Sequence, residues 1–468
     1  MKRQSPRRTR IRPPFAPLSR AVFATLASCL LAAQPAKSAE PSITEVSARI
    51  LQAATNSDVA YSRLCHLCDT FGPRFSGTTN LEAAIDWVLD EARKDGLDNV
   101  HGEEVAVPRW VRGRESLAMI EPRRLALAMT GLGGSVATPP QGIEAPVLVV
   151  KSFAELHARA AEAKGKIVVF NAPFTSYGET VQYRYLGANE AAKAGAVASL
   201  VRSITPYSLQ TPHTGAMHYY EGAPRIPHAA ITVEDAELLQ RLQSEERRVV
   251  LHLAMEAQTL PDTLSRNVIA EIAGREKPGE FVVVSGHIDS WDITPGALDD
   301  GGGVLAAWEA VRLIKSLGLH PRRTIRLVLW TNEENGSAGA VDYKKRHLEE
   351  LPGHVLAMES DMVVLQPTGF VCALSEEGMR QAGSMAPALR ELGAATFHPG
   401  GAGADLGPIH EQGVPCMELQ TRNDLYFRYH HTAADTPDKV NPLELNLCAG
   451  AMAVMAYAAA ESPDKLKR

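Results

Sequence analysis

Imidazoles and carboxylates recur in five short runs in the second half of the chain. They are Gly286-His287-Ile288-Asp289-Ser290-Trp291-Asp292, Gly296-Ala297-Leu298-Asp299-Asp300-Gly301-Gly302-Gly303, Thr331-Asn332-Glu333-Glu334-Asn335-Gly336, Met358-Glu359-Ser360-Asp361 and Tyr429-His430-His431-Thr432-Ala433-Ala434-Asp435-Thr436. Gathered in one place without counter-charge, such carboxylates would repel one another and resist desolvation. Divalent cations remove that cost. Imidazole with carboxylate is a borderline ligand set that suits zinc, and catalytic zinc keeps an open position for water. Asp299, Glu334 and Asp361 as three anions against two Zn²⁺ leave one positive charge, which a bridging hydroxide neutralises. That is the balance of a co-catalytic pair, in which two ions activate water and polarise a carbonyl.

Something must carry these runs to one point. Phe281–Val284 reads as a buried strand, 303–317 as a helix, Thr324–Trp330 as a strand, 337–348 as a helix, His354–Met358 as a strand, 378–392 as a helix, Val414–Leu419 as a strand and 442–460 as a closing helix. Strands alternating with helices imply parallel βαβ units, an α/β fold with a mostly parallel sheet flanked by helices. The carboxyl ends of such strands face one crevice, where ligands bind, and the reactive runs follow the strands. The three glycines 301–303 are not followed by Lys-Ser/Thr, so they read as a close helix entry rather than a phosphate loop.

The rest of the chain reads differently. Lys2, Arg3, Arg7, Arg8, Arg10, Arg12 and Arg20 precede an apolar run, Ala21–Ala33, and the small residues Ala36 and Ser38. That order is a secretory signal cleaved after Ser38 or Ala39, with lipoprotein anchoring at Cys29 a lesser alternative. The apolar run is too short to span a bilayer, and no later segment reads as a transmembrane anchor, so a secreted or periplasmic protein is expected. Residues 39–115 are mostly helical and read as the first part of the main domain, resumed at 263–468. Between them, 116–262 is rich in short β runs, prolines and glycines, with scattered histidines (His213, His218, His228) and no catalytic cluster of its own; it reads as an inserted accessory domain. The net charge of −6 offers nothing to nucleic acid. Cys65-His66-Leu67-Cys68 is half a zinc ribbon without a second half and reads as thiols on a helix; pairing among Cys65, Cys68, Cys372, Cys416 and Cys448 is left open.

These motifs resemble the co-catalytic zinc exopeptidases related to aminopeptidase Y and glutamate carboxypeptidase II. The likeness runs from about Tyr61 to Ala460 and includes Asp69-Thr-Phe-Gly-Pro-Arg-Phe-Ser-Gly77, Gly165-Lys-Ile-Val-Val169 and Ser208-Leu-Gln-Thr-Pro-His-Thr-Gly215. It implies the zinc exopeptidase fold, with 116–262 as a protease-associated domain. It implies that His287 and Asp361 hold one zinc, Glu334 and His431 the other, and that Asp299 bridges both. Glu333 matches the general base. Asp289 would bind the other nitrogen of His287, and Asp435 with Thr436 would brace the His431 loop. His430 competes with His431 as a ligand on residue type alone. The resemblance favours His431, which directly precedes the Thr-x-x-Asp-Thr run.

The expected activity is hydrolysis of dipeptides or very short peptides with free termini. A broader aminopeptidase is the alternative, and a non-catalytic binding protein of the same fold would be expected to have lost ligands that are all present here. A homodimer is implied by the resemblance alone. The insertion is expected to cover the crevice and limit substrate length.

Overall fold

The structure, a computed structural model, describes residues 42–362 and 365–468. The expected signal peptide, residues 1–38 with Cys29, lies outside them. Eight strands build the main sheet: β1 (Asp98–Val111), β2 (Gln258–Ile272), β3 (Lys277–His287), β4 (Arg323–Trp330), β5 (His354–Glu359), β6 (Pro367–Ala373), β7 (Thr396–Pro399) and β8 (Cys416–Thr421), in the spatial order β1-β2-β4-β3-β5-β8-β6-β7. The centre is parallel, β3 pairing with β4 and β5 and β5 with β8. The flanks are mixed: β1–β2, β2–β4 and β6–β8 pair antiparallel and β6–β7 parallel.

The central strands are apolar on both faces because both are covered, the expected signature of a parallel sheet under helices. Alternation divides them. Val282 and Val284 point into the larger core, with Leu327, Leu356 and Met358; Val283 points into the opposite one, with Val328, Ala357 and Tyr343. The larger core is closed by the helices Gly302–Ser316 and Pro442–Glu461 and the amino-terminal helices Ile43–Thr55, Val59–Phe71 and Thr79–Lys94. Helix Pro442–Glu461 is apolar and long enough to cross a membrane, but 83% of its apolar window is buried, which makes it a core helix. The expected helix 378–392 is broken into Glu376–Gly383 and Ala386–Leu389, where Pro387 enters the first turn of the second piece.

The segment from Glu115 to Met255 forms a second eight-stranded sheet, with parallel strands Ile143–Val150, Ile167–Phe170, Ala198–Arg202 and His228–Ile231 at its heart. It has its own apolar clusters, among them Val149, Ile167, Leu200 and Leu251. β1 leads into it and β2 leads out, so Gln258–Asp262 already belongs to the main sheet. Cys65 and Cys68 lie on helix Val59–Phe71, and all five described cysteines are free thiols.

Candidate metal centre

Most donors sit where a strand ends. β3 finishes on His287, Glu333 and Glu334 follow β4, Asp361 follows β5, and Asp299 lies in the loop before helix Gly302–Ser316. His431 comes just after the short helix Tyr426–Tyr429. His287 Nε2 lies 3.2 Å from Asp299 Oδ1 and 3.2 Å from Asp361 Oδ1. His431 Nε2 lies 3.2 Å from Asp299 Oδ2 and 3.1 Å from Glu334 Oε2. Asp299 therefore turns one oxygen to each imidazole, and the cluster has two lobes joined by a single carboxylate.

The donor set fits cations. His287, Asp299, Glu334 and His431 are buried and Asp361 half-buried, and neither Asp299 Oδ2 nor Glu334 Oε1 has a hydrogen-bond partner. Burial alone would lower His287, but Asp361, with bonds to Asp289 and Asp299, holds it well above the ordinary imidazole range. His431 is likewise raised against burial by Glu334 and Asp299. Glu334 is pushed up to about 7 by burial and by Asp299. The close carboxylates thus favour positive charge at both imidazoles, the place a divalent cation takes in such a site. Nitrogen and oxygen donors with room for a further ligand suit zinc.

His430 stacks on His431 with ring centroids 3.6 Å apart, and its Nε2 lies 3.6 Å from Asp299 Oδ2. Both imidazoles thus face Asp299, but His431 also reaches Glu334. Asp300 joins His287 and Asp361 in a second grouping of ligand-type atoms. Its role here is to hold backbone: its carboxylate accepts from the N–H of His287 and of Gly303, each at 3.0 Å. A Cβ on Gly303 would stand 1.9 Å from the Ser360 carbonyl oxygen, so the glycine run admits this helix start between two ligand loops.

Two residues do more than expected. Asp289 meets His287 Nδ1 through its main-chain carbonyl, at 3.1 Å, with its carboxylate 3.7 Å away. That carboxylate also accepts from the N–H of Glu333 at 3.0 Å and of Glu334 at 3.4 Å, so it shapes the turn after β4. Asp435 donates its N–H to Thr432 O at 3.2 Å within the His431 loop, and its carboxylate accepts from the N–H of Leu298 at 2.7 Å and of Asp299 at 3.1 Å, bracing the Asp299 loop as well. Backbone donors need acceptors where the chain leaves regular structure, and buried carboxylates supply them. Thr432 shapes the His431 turn by donating to Tyr429 O at 2.7 Å, while Thr436 donates to Ala434 O at 3.3 Å.

Other contributors were not foreseen. Arg74, fully buried, donates to Ile288 O at 2.8 Å and to Gly296 O at 3.3 Å, which gives the Asp69–Gly77 motif its task of pinning two ligand loops. The second sheet's segment reaches the metal cluster itself. His431 has a left-handed backbone (φ 59°), its carbonyl accepts from Thr214 N–H at 3.0 Å, and its Nδ1 lies 3.2 Å from Thr214 O. With Nε2 turned to a metal, Nδ1 keeps the proton and donates it to that carbonyl. Arg184 Nη1 is 3.4 Å from the same Nδ1, and Nη2 donates to Tyr177 Oη at 2.9 Å. Nothing in the spacing of the segment marks Arg184 or Thr214, since their meaning depends on a fold-level contact between residues about 217 to 247 positions apart.

A cavity of about 640 Å³ opens over the cluster. Asp299, Glu333, Glu334, Asp361, Met362 and Ala404 line it from the main sheet's loops and Glu418 from β8; Tyr177, Arg184, Tyr185, Met217 and His218 line it from the other segment. His213 and His228 are buried outside it, His228 bonded to Ser199.

Imidazoles and a shared carboxylate gathered beside the ends of parallel strands make a site of metallohydrolase type. Residues 267–456 match the profile of Peptidase family M28. Carboxypeptidase Q of Mus musculus is 48% identical over 411 residues, covering 87% of each chain, and that of Homo sapiens 47% over 409 residues, again 87% of each. A solved Peptidase M28 precursor from Shewanella amazonensis superposes with a TM-score of 0.88 at 34% identity, over 91% of this chain and 98% of that one. A zinc aminopeptidase from Bacillus subtilis shares the fold, with a TM-score of 0.67 at 22% identity over 87% of this chain and 96% of the other. The chain belongs to peptidase family M28 and is a zinc-dependent metallopeptidase, similar over most of its length to carboxypeptidase Q.

Proposed function

We propose that the chain is an exported exopeptidase, working with two zinc ions, that hydrolyses dipeptides and very short peptides with both termini free. The observation that carries the substrate reading is the charge layout of the cavity. Glu333, Asp361 and Glu418 line it from the main sheet, and Arg184 from the other segment, with no carboxylate partner among the described residues. A zwitterionic dipeptide presents an ammonium at one end and a carboxylate at the other, and an unpaired guanidinium is the natural fork for the latter.

His287 and Asp361 would hold one ion, Glu334 and His431 the other, with Asp299 between them. When bound, the pair acidifies water and polarises the scissile carbonyl. Glu333 is half-buried beside Glu334, and burial, with Asp361 and Asp405, holds it well above the usual carboxylate range. It is suited to take a proton from the attacking water and return it to the leaving amine. Asp289 keeps Glu333 and Glu334 in register by holding both backbone N–H groups. Arg184 orients the carboxylate, and the Glu115–Met255 segment, taken as an inserted protease-associated domain, roofs the site and excludes water. The signal-like residues 1–38 support export.

A substrate series with one scissile bond, from two residues to about ten, tests this reading, with free and blocked termini. kcat/KM should fall steeply after two or three residues and on amidation of the carboxyl end. Equal values across lengths would replace the dipeptidase with a general aminopeptidase.

A further inference from the structure

Behind the metal cluster lies a group of carboxylates that the mechanism leaves idle. Glu359 and Glu418 are direct cross-strand partners on β5 and β8, so their side chains share one face of the sheet. Like charges placed opposite each other destabilise a strand pair unless something neutralises them. Asp405 lies in the loop that also brings Ala404 to the cavity. Glu359 and Asp405 are fully buried, and all four of their carboxylate oxygens lack a hydrogen-bond partner. No Lys, Arg or His among the described residues forms an ion pair with Glu359, Asp405 or Glu418. Of the three, Glu418 lines the cavity, as do Asp361 and Met362.

We infer that Glu418, backed by Glu359 and Asp405, selects substrates whose amino-terminal residue carries a cationic side chain, lysine or arginine. The inference rests on the reading of the cavity as an exopeptidase site that takes the amino end on its carboxylates. With the substrate's carboxylate directed to Arg184, its first residue lies against Met362, Ala404 and Glu418. The aliphatic stem of a lysine would pass Met362 and Ala404, and its ammonium would meet Glu418. Desolvating a carboxylate against two others is costly, and a partly buried cation removes the cost only while it is there. A neutral side chain of the same length leaves the three acids uncompensated, which turns their arrangement into discrimination.

The test compares lysyl-alanine with norleucyl-alanine, which match in length and differ in charge, on the zinc-loaded full-length enzyme. The wild type should favour lysine in kcat/KM by about tenfold or more, the size of one charge-assisted contact. In Glu418→Gln the ratio should collapse to within about twofold while zinc content stays at the wild-type level. Glu418→Ala, which also removes the stem, should collapse it as well. A wild-type enzyme without the preference, or a Glu418→Gln enzyme that keeps it, overturns the inference. An equal loss on both substrates overturns it too, and assigns Glu418 to the α-ammonium instead. The same pair extended to tetrapeptides separates this outcome from the dipeptide reading: failure of that reading moves activity to the longer pair and leaves the lysine-to-norleucine ratio to be read there.

Discussion

The two sheets of this molecule are built alike at the centre and used in opposite ways. In both, apolar parallel strands end in loops, but the main sheet's loops carry imidazoles and carboxylates, whereas the Glu115–Met255 segment contributes Arg184, Tyr177 and the backbone of Thr214. The first set can hold metal and move protons. The second can hold only an anion and the metal site's own outer edge. Chemistry is concentrated in one half, and what the other half adds is position and charge.

The comparison breaks most readily on the metal. If the main sheet alone supplies the ligands, the protein binds about two zinc ions per chain, and chelation removes all activity until Zn²⁺ is restored. Metal analysis with activity recovery measures this, and full activity in zinc-free protein would end the assignment. Next in size is Glu333→Gln, which keeps shape and removes basicity. kcat should fall by on the order of a hundredfold or more with zinc retained, as single-turnover kinetics and metal analysis would show. Loss of zinc instead would exchange the roles of Glu333 and Glu334. A smaller effect is expected in the other half. Arg184→Met should lower kcat/KM for free dipeptides by about thirtyfold and for their amides by less, since only the former lose a charged partner. An equal fall on both would make Arg184 a support for His431 rather than a reader of substrate.

The same contrast explains what could be read from the sequence. The strands β3, β4 and β5 and the helices after them announce themselves because burial on both faces leaves apolar runs, such as Phe281–Val284 and Leu327–Trp330. The ligand runs were legible because most follow such a strand. β1 and the start of β2 were not, because Asp98–Val111 is half exposed and interrupted by Pro108, and Gln258–Asp262 is largely polar. Asp289 and Asp435 were legible as members of the site but not in all their tasks. A carboxylate two residues from a histidine suggests a bond to the ring, yet the turn after β4 had unpaired backbone N–H groups nearer to hand. Arg184 and Asp405 carry no local signal, and Thr214 and Glu359 stand in the quoted runs with nothing to mark their tasks, because what sets all four apart is a missing partner or a contact across the fold.

The finest test lies on the seam between the halves. Trp291, fully buried, stacks near Phe75 with centroids 5.0 Å apart and meets His431 edge-on at 5.6 Å. Its far edge lies against Gly133 of the second sheet's segment, where an added Cβ would stand 2.2 Å from the indole. The ring cannot retreat without pushing on Phe75 or on the metal-side histidine, and the flanking Arg112–Asp292 pair, at 2.6 and 2.8 Å, holds the segment in place. Gly133→Ala should therefore cost about 1–3 kcal/mol, as overpacking a filled interior does. Thermal unfolding would show this as a shift of a few degrees. If the seam positions His431, the same variant should also bind the zinc ion that His431 would hold several-fold less tightly in a chelator competition, while the other ion is unaffected. A variant that loses stability and holds both ions as before would show that the second sheet covers the metal site without helping to build it.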